Sequence, residues 1–270
     1  MKIYDEQRDC LVFYEKKVTG NFWDEHWDKY YSGNLKKTIE NYKTNRYIIG
    51  LTKRYLDRKE GRVLEGGCGI GGYVYCLQRK GYNVYGVDSA EKTIERIKET
   101  FPNLNVSIDD VRNLSFPDYY FNIYYSFGVI EHFIDGYHEI VREAYRVLKP
   151  NGYFIITFPQ ISALRRIKIL LGAYSNRNAR ASDGLEFYQF AFNPLLVVRN
   201  LERQGFKLIS RKGEDGLRGF KQTFPVFKPI LQRLYDYRGE NYIIRAIRLI
   251  INKTLAPLCG HMCQLVMRKF

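Results

Sequence analysis

The segment RVLEGGCGIGGYVYCL, residues 62–77, combines an acid with closely spaced glycines. Gly67, Gly69 and Gly72 have the spacing G-x-G-x-x-G, which is typical of a turn that brings the backbone close to a dinucleotide phosphate. Glu65 lies two residues before the first of these glycines. A carboxylate at this point repels a pyrophosphate but attracts an ammonium group. The glycines therefore predict a ligand-binding turn, and the acid favours a cationic ligand over a diphosphate.

Two further acids follow the next strand-like segments. Asp88 ends YNVYGVD, 21 residues after Gly67, where a carboxylate can hydrogen-bond both hydroxyls of a ribose. Asp110 follows LNVSID, and a carboxylate there can accept a hydrogen bond from an adenine amino group. The adjacent Asp109 is the alternative for that role. S-adenosylmethionine carries a sulfonium, an ammonium and one carboxylate, for a net charge of about +1, and three acids around one ligand fit it better than a diphosphate.

A framework that positions these acids is visible after Gly61, where strand-like and helix-like segments alternate. The predicted strands are RVLEGG, YNVYGVD, LNVSID, YYFNIYYSFG, YFIITFP, FKLISRKG and HMCQLVMRK. Strands that alternate with helices predict an α/β fold in which a parallel sheet has helices on both faces. Right-handed crossovers then place the loops at the strand ends along one edge, where ligands bind.

Length and composition are those of one large globular domain, with 270 residues and 45% apolar content. We expect an N-terminal aromatic lid segment over 1–45 and a main domain over 46–270, with helical cap insertions at about 161–190 and 217–258. Neither a signal-peptide core nor an apolar run of membrane-spanning length is recognisable. The five cysteines are scattered and odd in number, which favours reduced thiols and a cytoplasmic protein.

The net charge of +14 is distributed unevenly. Residues 61–160 carry 10 Lys and Arg against 12 Asp and Glu, whereas residues 161–270 carry 20 against 7. Two amphipathic basic segments lie in this C-terminal part, around Leu164–Leu171 and Ile243–Asn252. They are either cap helices with solvated charges, or a surface for an acidic substrate or anionic lipid that makes a weak peripheral membrane contact. Both interpretations stay open at this point.

Taken together, the motifs resemble the class I S-adenosylmethionine-dependent methyltransferases of the small-molecule type. The resemblance extends from about Arg62 to Pro159, with a weaker similarity through residue 212 and at the final strand. The acid followed by G-x-G-x-G is EGGCGIG, residues 65–71, and GVDSA, DDVRNLSFPD, SFGVIEHF and RVLKPNGYFIITFP match the later segments in order. Asn122 departs from the family pattern, in which Asp usually follows an aromatic residue. The resemblance implies a Rossmann-like, mostly parallel sheet of seven strands with an antiparallel last strand, and S-adenosylmethionine as cofactor.

Residue roles follow from the same resemblance, position by position. His132, just after the fourth predicted strand, is a general base in some members of the family and only a pocket residue in others. The aromatic segment FWDEHWDKYYSG implies a lid on which Tyr30 or Tyr31 contacts the cofactor carboxylate. No metal site is predicted, because the spacing of Cys259, His261 and Cys263 matches no usual zinc pattern. The predicted cofactor-binding residues are Glu65, Gly67, Cys68, Gly69, Gly71, Asp88, Ser89, Asp110, Val111, Ser126, Phe127 and Tyr31.

The resemblance implies methyl transfer to a small-molecule acceptor, such as a quinone, lipid, sugar or secondary metabolite. This acceptor can also carry an anionic group. The segment SFGV replaces the Asn/Asp-Pro-Pro-aromatic motif of amino-group nucleic-acid methyltransferases, and no Pro-Cys pair provides a nucleophile for cytosine. Nucleic acid is therefore a disfavoured acceptor. Two alternatives remain: an RNA methyltransferase that clamps phosphates with its basic C-terminal part, and a non-catalytic S-adenosylmethionine-binding partner of another enzyme.

Overall fold

A computed structural model describes residues 1–16, 22–31, 34–56, 60–176, 185–237, 239 and 241–270. The chain divides into two compact units. We call them the core unit (Val18–Ile156, Leu201–Ile209 and Val266–Phe270) and the accessory unit (Met1–Lys17, Thr157–Asn200 and Ser210–Leu265). This division differs from the predicted boundary after residue 45, because the first 17 residues group with the accessory unit.

Eleven strands and eleven α-helices are present in the described part of the chain. The strands are β1 (Lys2–Asp5), β2 (Cys10–Lys16), β3 (Arg62–Gly66), β4 (Asn83–Asp88), β5 (Val106–Ile108), β6 (Phe121–Phe127), β7 (Leu148–Pro159), β8 (Ser175–Asn176), β9 (Leu185–Phe192), β10 (Phe206–Glu214) and β11 (Met262–Lys269). The helices are α1 (Phe22–Tyr31), α2 (Leu35–Glu40), α3 (Arg46–Tyr55), α4 (Gly72–Arg79), α5 (Glu91–Thr100), α6 (His138–Val147), α7 (Ala163–Leu170), α8 (Pro194–Arg203), α9 (Gly216–Thr223), α10 (Lys228–Asp236) and α11 (Tyr242–Cys259). Short 3₁₀ helices span Ile130–His132 and Pro225–Phe227.

The core unit is built on a seven-stranded sheet in the order β10-β11-β7-β6-β3-β4-β5. Strand β3 pairs in parallel with β4 and with β6, and β4 pairs in parallel with β5. The last strand runs antiparallel, while β7, β10 and β11 contribute residues to both units. The predicted Rossmann-like α/β sheet is therefore confirmed.

Burial explains why the central strands occupy the middle of this sheet. Val63 and Leu64 in β3 and Ile123 and Tyr124 in β6 are fully buried, as expected for strands that are covered on both faces. Helix α6 buries one apolar face, including Ile140 and other residues spaced three or four apart. The carboxyl ends of β3, β4 and β6 consequently lie side by side at one edge of a rigid sheet, where ligands bind in folds of this type.

The accessory unit contains a second sheet, of four strands in the order β8-β1-β2-β9. Strands β1 and β2 form an antiparallel pair with Ile3 opposite Val12, and β2 pairs with β9, where Val12 lies opposite Phe190. Cys10, Val12 and Phe190 form a small buried cluster on this sheet. The interpretation of residues 1–16 as part of a lid missed this hairpin.

Cap insertions of purely helical structure were expected at 161–190 and 217–258. The second is helical, with α9, α10 and α11. The first is corrected by the structure, since α7 is followed by strands β8 and β9, and residues 177–184 lie outside the described residues. The aromatic residues in LEFYQFAF suit a half-buried strand, and the strand pairs with β2.

Within the described residues, no helix is long and apolar enough to cross a membrane.

Candidate functional site

The glycine-rich turn between β3 and α4 lies on the end of β4. The amides of Gly67 and Cys68 both donate to the carbonyl of Val87, at 2.8 and 2.9 Å. Gly67 has φ +74° and Gly69 has φ +52°, a left-handed conformation that is costly for other residues. A Cβ atom on Gly69 would collide with the ring of Trp27. Glycine is therefore required at position 69 both by the left-handed backbone and by the indole that packs on it.

Asp88, at the end of β4, is bound to this turn through its carboxylate. Its Oδ2 accepts the Gly69 amide at 2.7 Å, and its Oδ1 accepts the Ala90 amide at 3.0 Å. Burial raises the pKa of Asp88, while these amide hydrogen bonds oppose the increase. Each carboxylate oxygen accepts more than one hydrogen bond, so the group can still receive ribose hydroxyls. Helix α5 has Ala90 as its N-cap, so Asp88 is not the N-cap residue of this helix.

Glu65, near the end of β3, is a buried acid with an unmet hydrogen-bonding need. Its side chain is only 5% exposed, and its Oε2 has no hydrogen-bond partner among the described residues. Burial, and then the nearby charge of Asp88, raise the pKa of Glu65 well above its usual range. A buried acceptor without a donor is costly. A cationic ligand with N–H donors would relieve that cost, so the chemistry of this carboxyl fits an ammonium group.

The end of β6 adds a second buried polar atom without a partner. Ser126 is fully buried and its Oγ has no hydrogen-bond partner among the described residues. Phe127 follows it and packs against Tyr73 with ring centroids 5.7 Å apart. Because Glu65 is in parallel register with Tyr125, the ends of β3 and β6 bring Glu65 and Ser126 to the same edge of the sheet. Two buried oxygens without partners among the described residues thus lie at this edge, where a polar ligand would satisfy them.

The third predicted acid already has a partner. Arg112 binds the carboxylate of Asp110 with both Nε and one terminal nitrogen, at 2.7 to 3.1 Å, and lowers its pKa. Asp109 accepts the amide of Ser115 at 2.9 Å. Val111 is buried beside them. The Asp110 pair is nearly half exposed, and such pairs are weak, so the adenine contact of Asp110 stays a prediction.

Helix α1 is attached to α5 through Asp24. The Oδ1 of Asp24 accepts both the amide and the hydroxyl of Thr93, at 2.9 and 2.8 Å. This anchoring holds Trp27 over Gly69. Trp27 packs against the main apolar core of the unit, and its Nε1 is buried without a partner among the described residues. The aromatic helix therefore covers the glycine turn with an indole.

Two tyrosines of α1, Tyr30 and Tyr31, were expected to contact the cofactor carboxylate. The side chain of Tyr31 lies outside the described residues, so its role stays a prediction. The hydroxyl of Tyr30 lies 3.2 Å from that of Tyr42. Sequence reasoning chose these tyrosines and missed Trp23 and Trp27, although a spacing of four residues places both indoles on one face of a helix.

His132 lies in the 3₁₀ helix after β6 and is half-buried beside the indole of Trp23. Its imidazole is 4.6 Å from the Trp23 ring, measured between centroids, and nearly perpendicular to it. The neighbouring Glu131 was missed from the sequence. Its side chain is 2% exposed and its Oε2 has no partner among the described residues. Burial raises the pKa of Glu131 to about 8, so this carboxyl is mostly protonated at neutral pH.

The remaining predicted site residues lie in or beside the same loops. Cys68 is buried in the turn, and burial raises the pKa of its thiol. Ser89 is exposed beside Asp88, and Gly71 is the left-handed N-cap of α4. In the described part of the chain, no group of three metal-ligating side chains is placed to hold a metal ion.

Sequence comparison matches part of the chain to characterised proteins. Residues 64–156 match a family described as a methyltransferase domain. A "probable S-adenosylmethionine-dependent methyltransferase" of Mycolicibacterium smegmatis is 32% identical over 121 residues, which are 44% of this chain and 46% of that protein. A 2-methyl-6-phytyl-1,4-hydroquinone methyltransferase of Synechocystis sp. is 34% identical over 98 residues, which are 35% of this chain and 30% of that protein. The chain thus spans less than half the length of these curated relatives.

Structural comparison extends further along the chain. The crystal structure of a SAM-dependent methyltransferase from Archaeoglobus fulgidus superposes with a TM-score of 0.53. The match covers 91% of this chain and 99% of that one, at 19% sequence identity. At this level of identity the similarity concerns the fold alone.

Proposed function

Because residues 64–156 match a methyltransferase domain, we propose that the protein is a class I methyltransferase that transfers a methyl group from S-adenosylmethionine to a small-molecule acceptor. One observation carries the choice of cofactor: the buried Glu65 carboxyl, without a partner for Oε2 in the described part of the chain, beside the glycine turn. A nicotinamide dinucleotide would bring a pyrophosphate to this acid. S-adenosylmethionine brings an ammonium group, which satisfies it.

In this proposal each site residue holds one part of the cofactor. Glu65 accepts the ammonium group, and the backbone at Gly67 and Gly69 approaches the amino-acid end. The Asp88 carboxylate accepts hydrogen bonds from the ribose hydroxyls. The Asp110 carboxylate accepts a hydrogen bond from the adenine amino group, and Val111 packs against the adenine ring. Cys68, Gly71 and Ser89 shape the loops on either side, and Ser126, Phe127 and Tyr31 line the methionine end. The bound cofactor supplies an electrophilic methyl group on its sulfonium.

The chain's own contribution to the reaction is alignment and exclusion of water. Methyl transfer is an in-line displacement in which the positive charge on sulfur disappears, so a dry site helps the reaction. The indoles of α1 supply apolar cover, since Trp27 lies over Gly69 and Trp23 lies against His132. If the acceptor is a hydroxyl, His132 is placed to remove its proton as a general base.

A small apolar acceptor is the class that we favour. The similarity to a hydroquinone methyltransferase supports it, and so does the aromatic lining of the site by Trp23 and Phe127. A hydroquinone would also present a hydroxyl to His132. The RNA alternative and the non-catalytic alternative have no separate observation in their favour, but one assay separates all three.

That assay incubates the protein with S-adenosylmethionine carrying an isotopically labelled methyl group, together with separate pools of quinols, sterols, sugars and RNA. Label in a quinol or sterol product is the expected result. Label in RNA would replace this acceptor class by the RNA alternative. Normal cofactor binding without label in any pool would leave the non-catalytic alternative. The His132→Asn variant should lose label transfer to a hydroxyl acceptor but keep cofactor binding.

A further inference from the structure

Helix α11 in the accessory unit has an apolar side that no described residue covers. Ile243, Ile247, Ile250 and Leu258 are 52%, 45%, 63% and 58% exposed. The three isoleucines are spaced four and three residues apart, so they align along one face. With 1.5 Å of rise per residue, the stripe from Ile243 to Leu258 is about 22 Å long. A helix of a soluble unit normally turns such a stripe inward.

The opposite side of α11 is already used for packing. Ala256 and Cys259 are buried, and Arg248 donates to the carbonyl of Tyr237 at 2.8 Å. The amide of Leu217, at the start of α9, donates to Asn252 Oδ1 at 3.0 Å. The helix is therefore attached to its unit through the side opposite the isoleucines. The isoleucine stripe is exposed because the helix packs through that other side.

The two helices that carry the exposed apolar side chains are also basic. Helix α11 contains three cationic residues and no acid, and the neighbouring α10 contains two cations and the single acid Asp236. Lys253 and Arg245 in α11 and Lys228 and Arg233 in α10 are exposed. The exposed side of α10 is apolar as well, since Ile230 is 73% exposed. On α11, Lys253 lies beside the stripe, three residues after Ile250, and Arg245 lies on the opposite side. An apolar face on a helix whose only charged residues are cations is the pattern of a helix that lies in a membrane interface.

We propose that α11, together with α10, binds the surface of a bilayer that contains anionic phospholipid. The isoleucine stripe enters the boundary between headgroups and acyl chains, and the cations face the lipid phosphates. A second copy of the chain would bring an equally basic face to this one and meet repulsion, whereas a phosphate surface is complementary in charge. The inference rests on the accessory unit alone and does not depend on methyl transfer.

The test is co-sedimentation of the full chain with phosphatidylcholine vesicles, with and without phosphatidylserine. We expect binding only when phosphatidylserine is present. Each cation near the surface contributes about fivefold in affinity, so the Arg233→Gln/Lys253→Gln variant should bind roughly 25-fold more weakly. The Ile247→Gln/Ile250→Gln variant should also lose binding. All four side chains are exposed or nearly so, so the fold should be unaffected, which far-UV circular dichroism can verify.

The matched control is Leu195→Gln/Arg199→Gln, which changes an exposed leucine and an exposed arginine on α8; its binding should equal that of the wild type. Negligible binding to both vesicle types would overturn the proposal. So would binding that survives the Ile247→Gln/Ile250→Gln change. Self-association that this change abolishes, without any lipid binding, would assign the stripe to a second copy instead. The affinity of the same variants for S-adenosylhomocysteine, measured by calorimetry, should equal that of the wild type. This measurement tests cofactor binding separately from membrane binding.

Discussion

Replacing Glu131 by glutamine should change how the stability of the protein depends on pH. Burial raises the pKa of Glu131 in the folded protein to about 8, whereas the ordinary value is 4.5. Between these two values the folded protein holds a proton that the unfolded chain has lost. Stability therefore falls as pH rises through this window. The penalty is absent below the lower value and complete above the upper one.

The size of the effect follows from the same two values. One pKa unit corresponds to about 1.4 kcal/mol, so the free energy of unfolding should fall by roughly 3 kcal/mol over two pH units inside the window. The full penalty is on the order of 5 kcal/mol for a shift of this size. Glutamine has the same shape and does not titrate, so the Glu131→Gln variant should lack this slope and be more stable than the wild type at neutral pH.

Urea unfolding followed by far-UV circular dichroism at a series of pH values measures the slope directly. Subtracting the free energy of unfolding of the variant from that of the wild type at each pH cancels the contributions of all other titrating groups. Glu139→Gln serves as the control, because Glu139 is exposed in α6 and its replacement should leave the slope unchanged. Parallel curves for the wild type and Glu131→Gln would refute the reasoning, because they would mean that the carboxyl titrates alike in the folded and unfolded states.

Three further variants test the turn, the ribose contact and the support of the sheet edge. Asp88→Ala should weaken S-adenosylhomocysteine binding by roughly 1.5–3 kcal/mol, the size expected for lost hydrogen bonds to a charged group, as calorimetry can measure. Gly69→Ala should both destabilise the protein by about 1–2 kcal/mol in urea unfolding, because φ is +52° there, and reduce cofactor affinity, because Trp27 must move. Glu143→Ala should destabilise the protein by about 2–3 kcal/mol, since it leaves the Leu114 amide without its acceptor and removes one of the acceptors of Arg146. Because Arg146 lowers the pKa of Glu143, the loss should diminish as pH falls through that lowered pKa.

The parts of the candidate site that belong to consecutive segments of the chain were predictable from the sequence. The glycine turn, Glu65 and Asp88 belong to consecutive strand–loop–helix segments, and parallel β3 and β4 must bring their carboxyl ends together. The alternation of strands and helices likewise predicted the parallel sheet of the core unit. Short-range patterns were therefore sufficient to bring the predicted site residues to one edge of the sheet.

Features that arise only from distant contacts were not predictable. The β1–β2 hairpin gains β9 from far along the chain, with Lys16 opposite Leu185 and Cys10 opposite Phe192. The burial of Glu131 results from packing around the end of β6, and nothing in FGVIEHF distinguishes a buried acid from an exposed one. The Arg112–Asp110 ion pair joins residues only two apart, but it depends on side-chain conformation, which the spacing does not specify.

The most direct test of the central claim is a calorimetric titration with S-adenosylhomocysteine, NAD and the Glu65→Gln variant. The wild type should bind S-adenosylhomocysteine and not NAD, because a buried carboxyl beside the glycine turn attracts an ammonium group and repels a pyrophosphate. Glu65→Gln should weaken S-adenosylhomocysteine binding, while Glu99→Gln, at an exposed carboxyl on α5, should leave it unchanged. Tight binding of NAD together with no binding of S-adenosylhomocysteine would contradict the account.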